Sequence, residues 1–365
     1  MKVLVIANND GGLYLFRKEL LEKLSHHYEV FVSAPNEDGD IEKLQALGCR
    51  CIVTDIKRRS INPFADLKLF QTYKKLILSI RPDVVLTYTI KPNVYGGVAC
   101  QITGTPYVTN ITGLGTSIEN GGLLALVSTT LYKVGLRKAE CVFFQNEASR
   151  SLFIEKGIVR GKTRLVPGSG VNLKQHCAEP YPDETEGIRF LFVGRVMKDK
   201  GVGELVEAFK RIHQQYPNVT VDIVGPQEED YSAAFETAGD AVHYLGPQTD
   251  MHSFYKNSHC AVLPSYHEGT ANVMLEASST ARPVITTRVP GCAKTFDDGI
   301  TGFGCEAKDT DSLIEAIEKF LKLSHEERAQ MGLNARAKME REYDRQLVID
   351  AYLDEIEQIE KRLRQ

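Results

Sequence analysis

The chain has 365 residues, 42% of them hydrophobic and 25% charged. That balance excludes disorder, coiled coil and collagen-like repetition, and the length predicts two domains of ordinary size. With 44 basic against 48 acidic residues and a formal net charge of -4, no global field draws in nucleic acid or an acidic bilayer, so any anion site must be local.

The chain opens "MKVLVIANNDGG". The apolar run there is too short for a signal peptide or a membrane span, and nothing later reaches eighteen apolar residues, so a cytoplasmic protein is expected. Six strand-like runs follow one another in the first half, at 2–7, 28–34, 49–56, 83–88, 106–111 and 141–145. Helix-length segments such as "FRKELLEKLSHH" and "FADLKLFQTYKKLILSI" separate them, which is the pattern of crossover units on a parallel sheet. The eight cysteines, at 49, 51, 100, 141, 177, 260, 292 and 305, show no paired CxxC spacing. They read as reduced thiols, and no metal is expected.

After the first strand, Asn9, Asp10, Gly11 and Gly12 open a helix. The G-x-G-x-x-G dinucleotide fingerprint is missing, so these residues read either as a loop letting a ligand close to the backbone or as a plain tight turn. In "LTYTIKPNVYGG", Lys91 and Asn93 are the polar candidates at the end of the fourth strand, and "NITGLGTS" (110–117) is a further glycine loop. Over 122–138, Leu123, Leu124, Val127, Leu131 and Val134 share one helical face, with Lys133, Arg137 and Lys138 towards its end. With "IKRRSINPF" (56–64) this helix would rest on a membrane surface; a core helix with a solvated end is the alternative.

Residues 163–187 are rich in glycine, proline and polar residues and read as a linker, after which the alternation restarts with strands at 189–194, 219–225, 241–246, 260–265 and 282–287. The expected division is a first domain of 1–170, rejoined by a final helix over 346–365, and a second of 171–345. Two doubly wound α/β domains would face a central cleft, and ligands of such sheets bind beyond the carboxyl ends of the strands.

The second domain carries the densest chemistry. "FLFVGRVMKDKGV" puts Arg195 and Lys200 between a strand ending in Gly194 and a helix start, where paired cations can hold a diphosphate. "LPSYHEGTANVMLEA" puts Glu268 before a helix and Glu276 inside it, ~7 Å further along the axis. If Thr270 caps that helix, the N–H groups of Gly269, Thr270, Ala271 and Asn272 make an anion site. A carboxylate suits a ribose diol, a second suits sugar hydroxyls and the helix end suits phosphate; a capped core helix with two ordinary surface acids is the alternative. In "DTDSLIEAI", Asp311 reads as a helix N-cap and not as half of a metal-binding pair.

The order "GRVMKDKGV", "VDIVG", "HYLG", "LPSYHEGTANVMLEA", "RPVITTRVPGC", "DGITGF" resembles family 4 of the glycosyltransferases, which have the two-domain GT-B fold. The likeness covers essentially the whole chain. It implies that Glu268 and Glu276 form the family's E-x7-E motif: Glu276 on the ribose, Glu268 with the Gly269–Asn272 turn on the donor sugar and diphosphate. Arg195 and Lys200 would hold the leaving diphosphate, and Gly225 and Gly246 would flank the base. Asn9 to Gly12, Lys91 and Asn93 would lie on the acceptor side. Relatives commonly carry a histidine near Thr89 and a glutamate near Lys294, and this chain has neither. What the resemblance implies is a retaining, metal-independent transferase using a UDP-linked nucleotide sugar as co-substrate and needing no cofactor. Its acceptor would be a glycan or polyprenyl-linked saccharide of surface polysaccharide synthesis, reached from the inner face of the membrane. Rival readings are a GT-B epimerase or phosphorylase, or a non-catalytic sugar-nucleotide-binding protein.

Overall fold

The computed structural model describes residues 1–56, 62–112 and 122–365. Expectations for 57–61 and for the glycine loop at 113–117 fall outside the described residues, as do the side chains of Leu123 and Leu124. The chain divides into two compact units, Met1–Ser169 with Gln346–Gln365, and Gly170–Arg345.

The first unit is built on a seven-stranded parallel sheet of β1 (Lys2–Ile6), β2 (Glu29–Ala34), β3 (Arg50–Val53), β4 (Val84–Tyr88), β5 (Tyr107–Ile111), β6 (Cys141–Phe144) and β7 (Thr163–Leu165), in the order β3-β2-β1-β4-β5-β6-β7. The central strands are buried on both faces, the polar Thr87, Thr109 and Asn110 included. Helix Asp10–His27 and the final helix Arg345–Leu363 cover one face with Leu20, Leu24, Tyr352 and Ile356. Helix Pro63–Ile80 supplies Leu69, Tyr73 and Ile77 to another core cluster.

The second unit carries a six-stranded parallel sheet of β8 (Ile188–Val193), β9 (Val219–Val224), β10 (Val242–Gly246), β11 (Cys260–Leu263), β12 (Val284–Thr287) and β13 (Gly302–Cys305), in the order β10-β9-β8-β11-β12-β13. Its core joins Phe190 and Phe192 to Leu205, Phe209, Leu313 and Phe320 of the covering helices. Each unit is therefore a Rossmann-like α/β layer structure, and each sheet has one point where the strand order reverses: β1 beside β4, and β8 beside β11. A crevice opens beyond the carboxyl ends of the strands at such a point.

Two short strands escape the sequence pattern. β7 lies inside the expected linker, and β13, with its two glycines, offers no apolar run. The helix after "DTD" starts at Thr310, so Asp309 caps it by accepting from the Ser312 amide. Asp311, expected as the cap, instead sits on the first turn and meets Arg211 at 2.9 Å.

Candidate active site

In the second unit, the residues singled out in the sequence gather at the β8/β11 reversal. Beyond β8 the chain makes a short turn over Lys198–Lys200 and enters helix Val202–Gln215 through Gly201 at φ 70. A Cβ on Gly201 would stand 2.2 Å from the Pro264 carbonyl just past β11, so only glycine lets the two loops approach. The Tyr266 amide donates to the Asp199 carbonyl at 2.9 Å and ties the same loops again. The result is that Lys200 Nζ lies 2.5 Å from Glu268 Oε1, with both side chains largely buried. The Ser265 hydroxyl donates to the same oxygen at 2.9 Å.

Arg195 is not part of that pair. Its guanidinium meets Glu228 at 3.0 Å and is 47% exposed, so the two cations expected to act together are each held by a separate acid. Glu276 sits on helix Asn272–Ser279 and accepts from the buried Tyr255 hydroxyl at 2.8 Å. Burial pushes its carboxyl above the usual range, against the Tyr255 hydrogen bond and the charge of Arg345, which pull it down.

The expected cap is corrected by this geometry. The helix starts at Asn272, its N-cap is Ala271, and no side chain caps it. The Ala271 amide donates to the Gly291 carbonyl at 3.0 Å and the Asn272 amide to Thr270 at 2.9 Å, so two of the four amides assigned to an anion are already engaged. The Asn272 side-chain oxygen is buried without a hydrogen-bond partner among the described residues, a group that a ligand donor would satisfy. Gly225 has a packing reason to be glycine: at φ 144 its Cβ would fall 1.9 Å from the Gly194 carbonyl. Gly246, at φ 67, ends β10, and its carbonyl accepts from the Gly225 amide. Cys177, Glu179 and His252 bring ligand atoms within 4.8 Å of one another, a cluster the cysteine spacing did not signal; Lys256, 3.3 Å from Glu179, already supplies a cation to it.

In the first unit the candidates separate. Asn9 caps helix Asp10–His27 by accepting from the Gly12 amide and donates to Asp38, while Gly11 packs on the Asp38 side chain. Asp10 does not face a ligand. It is fully buried, and although burial raises its pKa, the amides of Asp40, Asp38 and Glu37 outweigh that and hold it below the usual carboxylate value. Lys91 is paired with Asp66 at 2.7 Å. Asn93 is fully buried in a π-helical turn, Pro92–Gly96, and donates to the Asn110 carbonyl. The left-handed residue nearby is Thr89, at φ 71, and such strain in a β-branched residue at a strand end marks functional edges.

A family model for "Glycosyl transferases group 1" matches residues 178–338, and a "Glycosyl transferase 4-like" model matches 2–146. Together they account for most of both units. The chain belongs to the GT-B glycosyltransferases of the family 4 type. Among curated members it is 27% identical, over 97% of each chain, to the N,N'-diacetylbacillosaminyl-diphospho-undecaprenol alpha-1,3-N-acetylgalactosaminyltransferase of Campylobacter jejuni. It is 28% identical, over 80% of each chain, to the capsular polysaccharide biosynthesis glycosyltransferase CapM of Staphylococcus aureus. Its fold matches HepE of Anabaena in complex with UDP and glucose, with a TM-score of 0.79, 18% identity and coverage of 98% and 99%. Sucrose-phosphate synthase of Thermosynechococcus elongatus matches at a TM-score of 0.83, with 20% identity and coverage of 99% and 100%.

For this glycosyltransferase, sequence reasoning missed Ser265 and Tyr255, the hydroxyls that orient the two glutamates. Ser265 lay within reach, in the quoted stretch itself; Tyr255 comes from another helix and had no signal.

Proposed function

We propose that the chain is a retaining, metal-independent transferase that moves a hexose or N-acetylhexosamine from a UDP-sugar to a polyprenyl-diphosphate-linked saccharide. The reading rests on the Lys200–Glu268 pair at the β8/β11 reversal. That pair sets a cation and a carboxylate within one hydrogen bond of each other, which suits a donor with a diphosphate next to its anomeric carbon. On donor binding Lys200 turns to the diphosphate and frees Glu268 for sugar hydroxyls, while Glu276, held by Tyr255, takes the ribose diol. As the anomeric bond breaks, charge grows on the leaving phosphate, and Lys200 with Arg195 stabilises it. The leaving phosphate then takes the acceptor proton on the same face, which retains configuration.

The donor and acceptor classes are supported by relatives. A galactosyltransferase of Escherichia coli, 26% identical over 71% of each chain, is named for UDP-Gal and a diphosphoundecaprenol acceptor, and the Campylobacter relative is named for a diphospho-undecaprenol acceptor. On helix 122–135, Val127, Leu131 and Val134 all lie on the exposed side, where they would meet the surface carrying such an acceptor.

The test is calorimetry with UDP, GDP, ADP and their sugars, with and without EDTA, followed by NMR of the product anomer. UDP-sugar binding that survives EDTA and an axial-for-axial product are expected. Sugar release as a new free nucleotide sugar would make the protein an epimerase, and binding without turnover a non-catalytic binder. Glu276→Ala should weaken UDP binding by ~1–3 kcal/mol.

A further inference from the structure

At the β1/β4 reversal of the first unit, a cavity of about 210 Å³ is lined by Asn8, Phe16, Arg17, Tyr88, Thr89 and Thr112, among others. Arg17 is 4% exposed. One terminal nitrogen donates to the Phe16 carbonyl at 2.8 Å, and Nε has no partner among the described residues. The rings of Tyr88 and Tyr352 stand 5.1 and 5.9 Å from the guanidinium carbon. No carboxylate among the described residues pairs with it. Among the described residues the Asn8 side-chain oxygen is likewise buried with no hydrogen-bond partner, while the Tyr88 hydroxyl lies within reach of Arg17 and of the Tyr352 hydroxyl.

A guanidinium stays charged at any physiological pH, and aromatic faces attract it without neutralising it. Structural arginines in this chain are handled differently. Arg282, fully buried, donates to six carbonyls, and Arg328 meets Glu184 at 2.6 Å. An under-bonded, uncompensated cation aimed into a cavity at a ligand-binding crevice is costly unless an anion fills it.

We propose that Arg17 is a binding residue whose pocket takes a phosphate group of the acceptor. The argument from Arg17 to an anion stands on the cavity alone, and the assignment to the acceptor rests on the function proposed above. One phosphate brings acceptor oxygens for the guanidinium fork, Arg17 Nε included, and for the Tyr88 hydroxyl. The apolar wall of Phe16 and the partnerless Asn8 oxygen suit the hydroxyl-bearing or chain atoms next to it.

The test titrates the full chain in phosphate-free buffer with a short-chain prenyl diphosphate-linked saccharide and with inorganic pyrophosphate, UDP being present to fill the donor site. UDP alone is titrated separately. The variants are Arg17→Gln, which removes the cation, and Asn8→Asp, which supplies an internal anion; thermal unfolding confirms that each is folded. Both variants are expected to lose roughly tenfold or more in affinity for the prenyl diphosphate and pyrophosphate, with UDP affinity unchanged. Undiminished binding of both probes in folded variants overturns the proposal, as does absence of binding by the native chain or a loss confined to UDP. Failure of the native chain to bind UDP sinks the donor reading instead and is visible independently of the pyrophosphate titration.

Discussion

The two strand-order reversals treat their cations in opposite ways. Beyond β8 and β11, Lys200 and Arg195 each meet a carboxylate, Glu268 and Glu228, so a ligand there must exchange one ionic partner for another. Beyond β1 and β4, Arg17 meets a carbonyl and two tyrosine faces, so a ligand would supply a partner that the fold withholds. A shared architecture therefore sets where ligands go, and the local charge balance sets what each crevice demands of them.

Stability separates the two kinds of buried arginine most sharply. Arg282→Met removes six hydrogen bonds, four of them to carbonyls with no other donor among the described side chains and loop amides, and should cost about 3–5 kcal/mol in urea unfolding. Arg17→Met, which leaves one carbonyl behind and removes an unpaired charge, should stay within about 1 kcal/mol of the native chain. Equal losses would show that Arg17 is scaffold and would erase the contrast. Next in size, Lys200→Ala should lower kcat about 100- to 1000-fold, because it acts on charge that develops in the transition state. Arg195→Ala should cost about tenfold, since half of its side chain is in water and already paired; a reversal of that order in steady-state kinetics would move the catalytic weight to Arg195.

The carboxylates give a test with a sign. Folding raises the Glu276 pKa above its ordinary value of 4.5, so the folded state holds this proton more tightly than the unfolded chain. The contribution is fully present below that ordinary value and is lost as pH rises through the raised one. Glu276→Gln should therefore gain stability relative to the native chain as pH goes from 4 to 8, read as a difference in Tm; a widening deficit would mean that the carboxylate is stabilised in place. The smallest effect is at Thr89, whose left-handed backbone glycine adopts freely. Thr89→Gly should raise stability by about 0.5–1 kcal/mol, and a loss would mean that its side chain holds the β4 edge.

Much of this could be read from the residues alone, because the strands that form the two sheet centres are short runs rich in Val, Ile, Leu and Phe. β13 could not: "GFGC" is held as a strand only by its pairing with β12, a tertiary fact. At the site, Glu268 and Lys200 were visible because their loops follow strands directly. Asp10 was misread as facing a ligand because the amides that capture it come from residues 37–40, and the expected Thr270 cap failed because the helix begins at Asn272, which puts Ala271 at the N-cap. Arg17 drew no notice because a cation in an amphipathic helix is ordinarily solvated. Only the tyrosines from β4 and the final helix show that it is not.

That final helix has a further consequence, for synthesis on the ribosome. Tyr352 and Ile356 belong to the core of the first unit, and the nearly buried Glu355 receives Lys162 and Arg164 from the region of β7. The segment that completes the first unit is thus translated after the whole of the second unit. At ordinary elongation rates the amino-terminal unit waits on the order of 10–35 s with one face of its sheet covered only in part. The first unit is completed only after the second has been made, and a chain stalled or clipped before residue 346 would leave part of an apolar sheet face open to chaperones and to aggregation.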